Sequence, residues 1–131
     1  MKRLFLIFLS IAVFITGCST NIIAPDGLNA IREIYDPVND MYGDRITLTW
    51  DNNSGDSSLE YRIYRAYATD INSDISSYTF IGSTSQASYT DDLIESNVNP
   101  GIIYYKISSV NKQGKESSLS KAASIEYIPY G

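Results

Sequence analysis

The chain has 131 residues, with 10 Lys or Arg, 15 Asp or Glu and no His, for a formal net charge of −5. That length suits one domain, and the acidic balance argues against a nucleic-acid partner, which requires clustered basic side chains. Without His there is no Ser-His-Asp triad, no Cys-His dyad and no His metal ligand, and the single Cys forbids an internal disulfide or a cysteine zinc site.

The chain opens on Met1-Lys-Arg3, an apolar run from Leu4 to Ile15, and then Thr16-Gly17-Cys18. Lys2 and Arg3 form a positive n-region. The apolar run has the length of a signal h-region and falls short of the roughly 20 residues that span a bilayer. Small residues precede the Cys, as cleavage by a peptidase requires. The segment resembles a bacterial lipoprotein signal with its lipobox. The resemblance implies a thioether-linked lipid on Cys18 and cleavage after residue 17. A plain secretory signal with a stray Cys and an uncleaved anchor are the alternatives. Removing residues 1–17 leaves 114 residues and takes away Lys2 and Arg3, so the charge becomes −7. Anionic lipid repels such a body, so the acyl chains would hold it at the membrane. The expected location is the bacterial cell envelope outside the cytoplasm, with the outer membrane favoured in a diderm.

Residues 18–25 carry the Cys and a short uncharged tether, and a domain follows over residues 26–131. Ile46-Thr-Leu-Thr-Trp50 alternates apolar and polar residues and predicts a strand with Ile46, Leu48 and Trp50 on one face. Leu59-Glu-Tyr-Arg-Ile-Tyr-Arg65 alternates likewise, with Leu59, Tyr61 and Ile63 inward. Tyr78–Gly82 is a short third run. Ile103–Ile107 puts Ile103, Tyr105 and Ile107 on one face, and Ala123–Tyr127 closes the set. Turn chemistry separates the runs at 51–56, 99–101 and 111–114. The pattern predicts an all-β, seven-stranded antiparallel sandwich of two sheets.

These residues resemble the fibronectin type III domain, an immunoglobulin-like topology. Arg45–Trp50 is similar to its second strand, which ends in a core Trp. Glu60–Arg65 is similar to its third, and Phe80–Thr84 with Ser88–Asp91 to the run into its fifth. Val98-Asn-Pro-Gly-Ile-Ile-Tyr104 has the family's spacing of aliphatic, Pro-Gly and Tyr, and Lys106–Ser118 matches the sixth strand and the turn after it. The resemblance implies a core of Trp50, Tyr61, Ile63, Tyr104 and Ile107, with a tyrosine corner. Residues 93–99 are longer than the family's approach to that corner and the sixth strand is one residue short. Either Ile103 or Tyr104 can therefore occupy the corner, and the need for a hydroxyl favours Tyr104.

Candidate chemistry is sparse. Asp70-Ile-Asn-Ser-Asp74 has the spacing that begins a calcium loop, but Ile75 stands where Gly is needed and Ile81 where Glu is needed. Asp51, Asn53 and Asp56 read as hairpin chemistry. Adjacent Asp91 and Asp92 on a strand point to opposite faces, poor geometry for an acid/base pair. Lys106 and Lys121 among many Ser do not make a dyad, and Asn52-Asn-Ser54 reads as an ordinary turn. No cofactor, metal or catalytic residue is expected. Of 11 tyrosines, Tyr64 should lie outside on the third strand beside Lys106 of the sixth, a possible contact face.

The expected function is a membrane-anchored, non-catalytic interaction module of the envelope, binding an unknown protein or glycan, with lipid at Cys18 as its membrane partner. A structural accessory subunit of an envelope complex is the alternative, and a carbohydrate-active enzyme the remote one.

Overall fold

The computed structural model describes residues 22–34, 44–52, 59–70, 75, 77–93 and 100–128. Cys18 and the signal segment, the Asp70–Asp74 run beyond its first residue, and the 53–58 turn lie outside the described residues. Every element among the described residues is a β-strand: β1 (Asp26–Ile34), β2 (Asp44–Asp51), β3 (Glu60–Ala68), β4 (Thr79–Thr84), β5 (Ser88–Leu93), β6 (Gly101–Val110) and β7 (Ala123–Tyr127). They form two antiparallel sheets, one of three strands in the order β1-β2-β5 and one of four in the order β4-β3-β6-β7. No helix among the described residues is long and apolar enough to cross a membrane.

The period-two pattern decides which side of each strand is buried. On β2, Ile46, Leu48 and Trp50 turn inward, and on β3 Tyr61 and Ile63 do so. From β6 come Ile103, Tyr105 and Ile107, and Tyr127 comes from β7; together these side chains make one core between the sheets. Trp50 meets Tyr61 edge to face, with ring centroids 5.2 Å apart and planes at 68°, the geometry that ring quadrupoles favour.

β1 has no such clean alternation. Its inward positions Leu28 and Ala30 only pack against the core's edge. Arg32 sits over the Tyr127 ring, 5.1 Å from its centroid, and its Nη2 donates to the Ile128 carbonyl at 2.8 Å. An amphipathic Arg thus takes the place that a hydrophobe has on β2.

The β6–β7 connection uses serines as surrogate strand groups. The Ile107 N–H donates to Ser120 Oγ at 3.0 Å and the Ser109 N–H to Ser117 Oγ at 2.9 Å. In return the Ser120 and Ser117 N–H groups donate to the Ile107 and Ser109 carbonyls, each at 2.8 Å. The ladder along β6 is thereby continued past the end of β7, which satisfies the Ile107 and Ser109 backbone groups. The preceding turn closes at Gly114, whose φ of +81° suits glycine, and Asn111 Oδ1 accepts from the Gln113 and Lys115 N–H groups.

Gly82 on β4 has a different reason. A Cβ there would collide with the Tyr89 hydroxyl, so glycine admits the β5 tyrosine against β4, where it donates to the Ile81 carbonyl at 3.4 Å.

Candidate functional site

Two clusters gather the polar chemistry of the domain. The first lies inside it. Asp91 on β5 is 7% exposed and reaches across to the other sheet. Both its carboxylate oxygens accept from Arg65 Nη1 of β3 at 2.8 Å, and Oδ2 also accepts from the Tyr105 hydroxyl of β6 at 2.7 Å. Burial opposes the charge of Arg65, but the bond and charge of Asp91 outweigh it and hold the guanidinium above its ordinary pKa. Burial and then the Asp91 bond push the Tyr105 hydroxyl far up, so it stays a donor. Asp92, the next residue, points outward and accepts from exposed Arg45 at 2.9 Å. Asp91 is committed to two donors in a closed core and serves as a cross-link between sheets.

The second cluster is the outer face of the four-stranded sheet. The β3–β6 register sets Tyr64 opposite Lys106 and Ala66 opposite Tyr104, and the β3–β4 register sets Tyr64 opposite Phe80. One row results, Phe80–Tyr64–Lys106, and beside it Ala66 faces Tyr104. The Tyr64 and Phe80 rings meet edge to face, 5.8 Å apart and at 65°. Lys106 Nζ lies 4.9 Å from the centroid of the Tyr78 ring, within cation–π range. Phe80 is 53% exposed, whereas Ala66 is 5% exposed although it faces outward; the larger neighbours cover it.

A polar group borders the aromatic row. Glu116, from the β6–β7 connection, accepts from Arg62 Nη1 at 2.9 Å, from Ser108 Oγ at 2.6 Å and from the Tyr64 hydroxyl. The Ser108 and Tyr64 bonds, then the Arg62 charge, hold its carboxyl below the usual range. Partial burial and the Glu116 carboxylate raise the Tyr64 pKa in turn, so the proton stays on the phenol. Among the described residues no group of three or more His, Cys, Asp or Glu side chains could hold a metal ion.

The structure brings together only some of the residues singled out in the sequence. Trp50, Tyr61, Ile63 and Ile107 lie in the core, and Tyr64 and Lys106 face outward as register partners. Tyr104 is a correction. The buried positions of β6 are Ile103, Tyr105 and Ile107, so the period of two puts Tyr104 on the outer face, half-buried. On β6 the buried tyrosine hydroxyl is that of Tyr105, and it donates to Asp91 instead of to nearby backbone. Phe80, Tyr78 and Glu116 were not visible as parts of one face. Phe80 could have been found by extending the outward alternation of β3 onto its partner β4; Tyr78 precedes β4, and Glu116 had no local signal, because a connection carries it there.

No sequence-family model matches the chain, and no curated protein is detectably similar. Solved structures are. A β-1,2-glucanase from Parabacteroides distasonis matches with a TM-score of 0.51 and 23% identity, over 86% of this chain and 14% of that one. The pectate lyase Pel3 from Pectobacterium carotovorum matches in two crystal structures. One has a TM-score of 0.49 and 14% identity over 77% of this chain and 26% of that one. The other has a TM-score of 0.48 and 18% identity over 79% and 28%. The chain therefore spans well under a third of each. The glucanase match corrects the expectation of an envelope interaction module: the similar fold is found inside a glucan-cleaving enzyme.

Proposed function

We propose that this chain is a fibronectin type III-like domain that serves carbohydrate processing, working beside a glycan-cleaving catalytic domain and engaging the sugar itself. The observation that carries the reading is the match of 86% of the chain to a 14% portion of a β-1,2-glucanase: a sandwich of this shape is built into a much larger glucan-cleaving enzyme. The step from fold to role is analogy. The strand order β1-β2-β5 against β4-β3-β6-β7 and the core Trp50 ending the second strand support the family assignment. The lipobox-like residues 15–18 support export with a lipid on Cys18, which would put the domain where extracytoplasmic polysaccharide is met.

The test is native affinity electrophoresis of the purified protein through gels with and without soluble polysaccharides, paired with a reducing-end assay. Retardation by a polysaccharide is the expected result. Unchanged migration in every gel, with no new reducing ends, refutes a carbohydrate role.

A further inference from the structure

We propose that the outer face of the four-stranded sheet is the sugar-binding site, and that it takes the ring faces of a neutral glucan chain. This deepens the carbohydrate reading and rests on it.

A pyranose ring has an apolar side made of C–H groups and a rim of hydroxyls. A complementary protein surface needs aromatic faces for the first and mixed donors and acceptors for the second. Both occur here in one place. Phe80 offers an exposed ring, and Tyr64 holds it edge to face. Beside them Lys106 lies over the Tyr78 ring and presents a further donor. Along the border the partly exposed Arg62 and Glu116 form a fixed ion pair that offers donors and an acceptor. Aromatic side chains have two χ angles, and these are braced by neighbours, so little rotamer freedom is lost when a ligand settles.

Charge selects the ligand class. Arg62 is neutralised by Glu116, and Lys106 has its ammonium over a ring. The chain as a whole carries −5. A polyuronate would bring a negative charge on every sugar toward an acidic body, with little uncompensated positive charge to meet it. A neutral chain meets no such repulsion and uses both the rings and the polar border.

The experiment is affinity electrophoresis of the full protein in gels containing soluble β-1,2-glucan, with polygalacturonate as the anionic comparison. Phe80→Ala removes the exposed ring without touching the core, and Phe80→Trp keeps an aromatic face. Ile31→Ala, 52% exposed on the other sheet, controls for general surface truncation. Thermal unfolding verifies that each variant is folded, and sedimentation velocity reports its mass. The expected result is glucan retardation of the wild type, weakened about tenfold in Phe80→Ala and largely restored in Phe80→Trp, with Ile31→Ala unchanged. If the wild type is retarded and Phe80→Ala equally so, the site assignment falls while the carbohydrate reading stands. An equal loss in Ile31→Ala also overturns the site. Stronger retardation by polygalacturonate overturns the neutral ligand. A wild-type dimer that Phe80→Ala dissolves, with no sugar bound, makes the face an interface between copies. Absence of retardation in both gels refutes the carbohydrate reading itself.

Discussion

Asp91→Ala should be the most damaging single polar substitution in this domain. It leaves Arg65 facing the core without its carboxylate and the Tyr105 hydroxyl without its acceptor. Removing one member of a buried ion pair costs about 3–5 kcal/mol. The Arg65 side chain keeps 22% of its surface exposed, so water relieves part of the freed charge and the low end applies, about 3 kcal/mol. For a domain near a hundred residues that lowers Tm by about 15 °C. Tyr105→Phe keeps the ring and deletes one bond to a charged acceptor, about 1.5–3 kcal/mol. The double variant closes a cycle: once the carboxylate is gone, loss of the hydroxyl should cost little, for a coupling of about 1.5 kcal/mol. Guanidinium unfolding followed by fluorescence of Trp50, the sole Trp, measures all three with the slope m held constant. A loss below about 1 kcal/mol in Asp91→Ala, or strict additivity in the cycle, would refute the cross-link.

Tyr104→Phe separates the two neighbouring tyrosines: with its ring on the outer face it should change stability by less than about 0.5 kcal/mol, and a loss matching Tyr105→Phe in the same unfolding assay would return the buried-hydroxyl role to Tyr104. Trp50→Ala, at a side chain 5% exposed, should cost about 3–5 kcal/mol, measured by circular dichroism since the fluorophore is removed. The raised pKa of Tyr105 sets an alkaline limit. Its contribution is fully present below the unfolded value of 10.0 and is lost as pH rises from there toward the folded value. Stability measured from pH 8 to 11 should fall above pH 10.0, and Tyr105→Phe should blunt the fall. Glu116 acts at the other end. Its folded pKa is depressed below 4.5, so its contribution is present above 4.5 and is lost as pH falls through the lower folded value. Glu116→Gln should flatten that acid limb, and an unaltered acid profile in the variant would show that the network adds nothing to stability.

The strands that were legible in the sequence are those whose inward positions are all apolar. Ile46, Leu48 and Trp50 declare β2, and Ile103, Tyr105 and Ile107 declare β6. β1 is not legible in the same way, because Arg32 occupies a position that a hydrophobe would mark, and its packing against Tyr127 depends on a strand nearly a hundred residues away. The choice between Tyr104 and Tyr105 turns on a related point. Counting from Pro100 selects Tyr104, whereas the alternation of β6 selects Tyr105, and the core obeys the alternation because a one-residue slip would turn Ile103 and Ile107 outward as well. The opposite facing of Asp91 and Asp92 was readable from period two alone, but the partners of Asp91 were not, since they come from the other sheet. The outer face was legible at Tyr64 and Lys106 and no further. Phe80 joins it through pairing with β4, Tyr78 through its contact with Lys106, and Glu116 through a connection that folds back over β6.

The buried cross-link and the exposed aromatic face are two consequences of one strand. β3 sends Tyr61, Ile63 and Arg65 to the inside and Arg62 and Tyr64 to the outside. Its pairing with β4 shifts register between Ile63 and Tyr64, which leaves Ile81 as the extra residue: Ile63 faces Gly82 while Tyr64 faces Phe80. Without that bulge Tyr64 would face Ile81, and Phe80 would move on to face Arg65, out of the row shared with Tyr64. A bulge at an edge strand re-aims side chains in this way. Gly82 accommodates the Tyr89 hydroxyl beside the same bulge, so β5 is seated against β4 at the point where the register changes. Asp91, two residues beyond Tyr89, then reaches Arg65, two residues beyond Ile63. The ion pair inside and the ring pair outside are therefore set by the same register, and a substitution that enlarges Gly82 should disturb both.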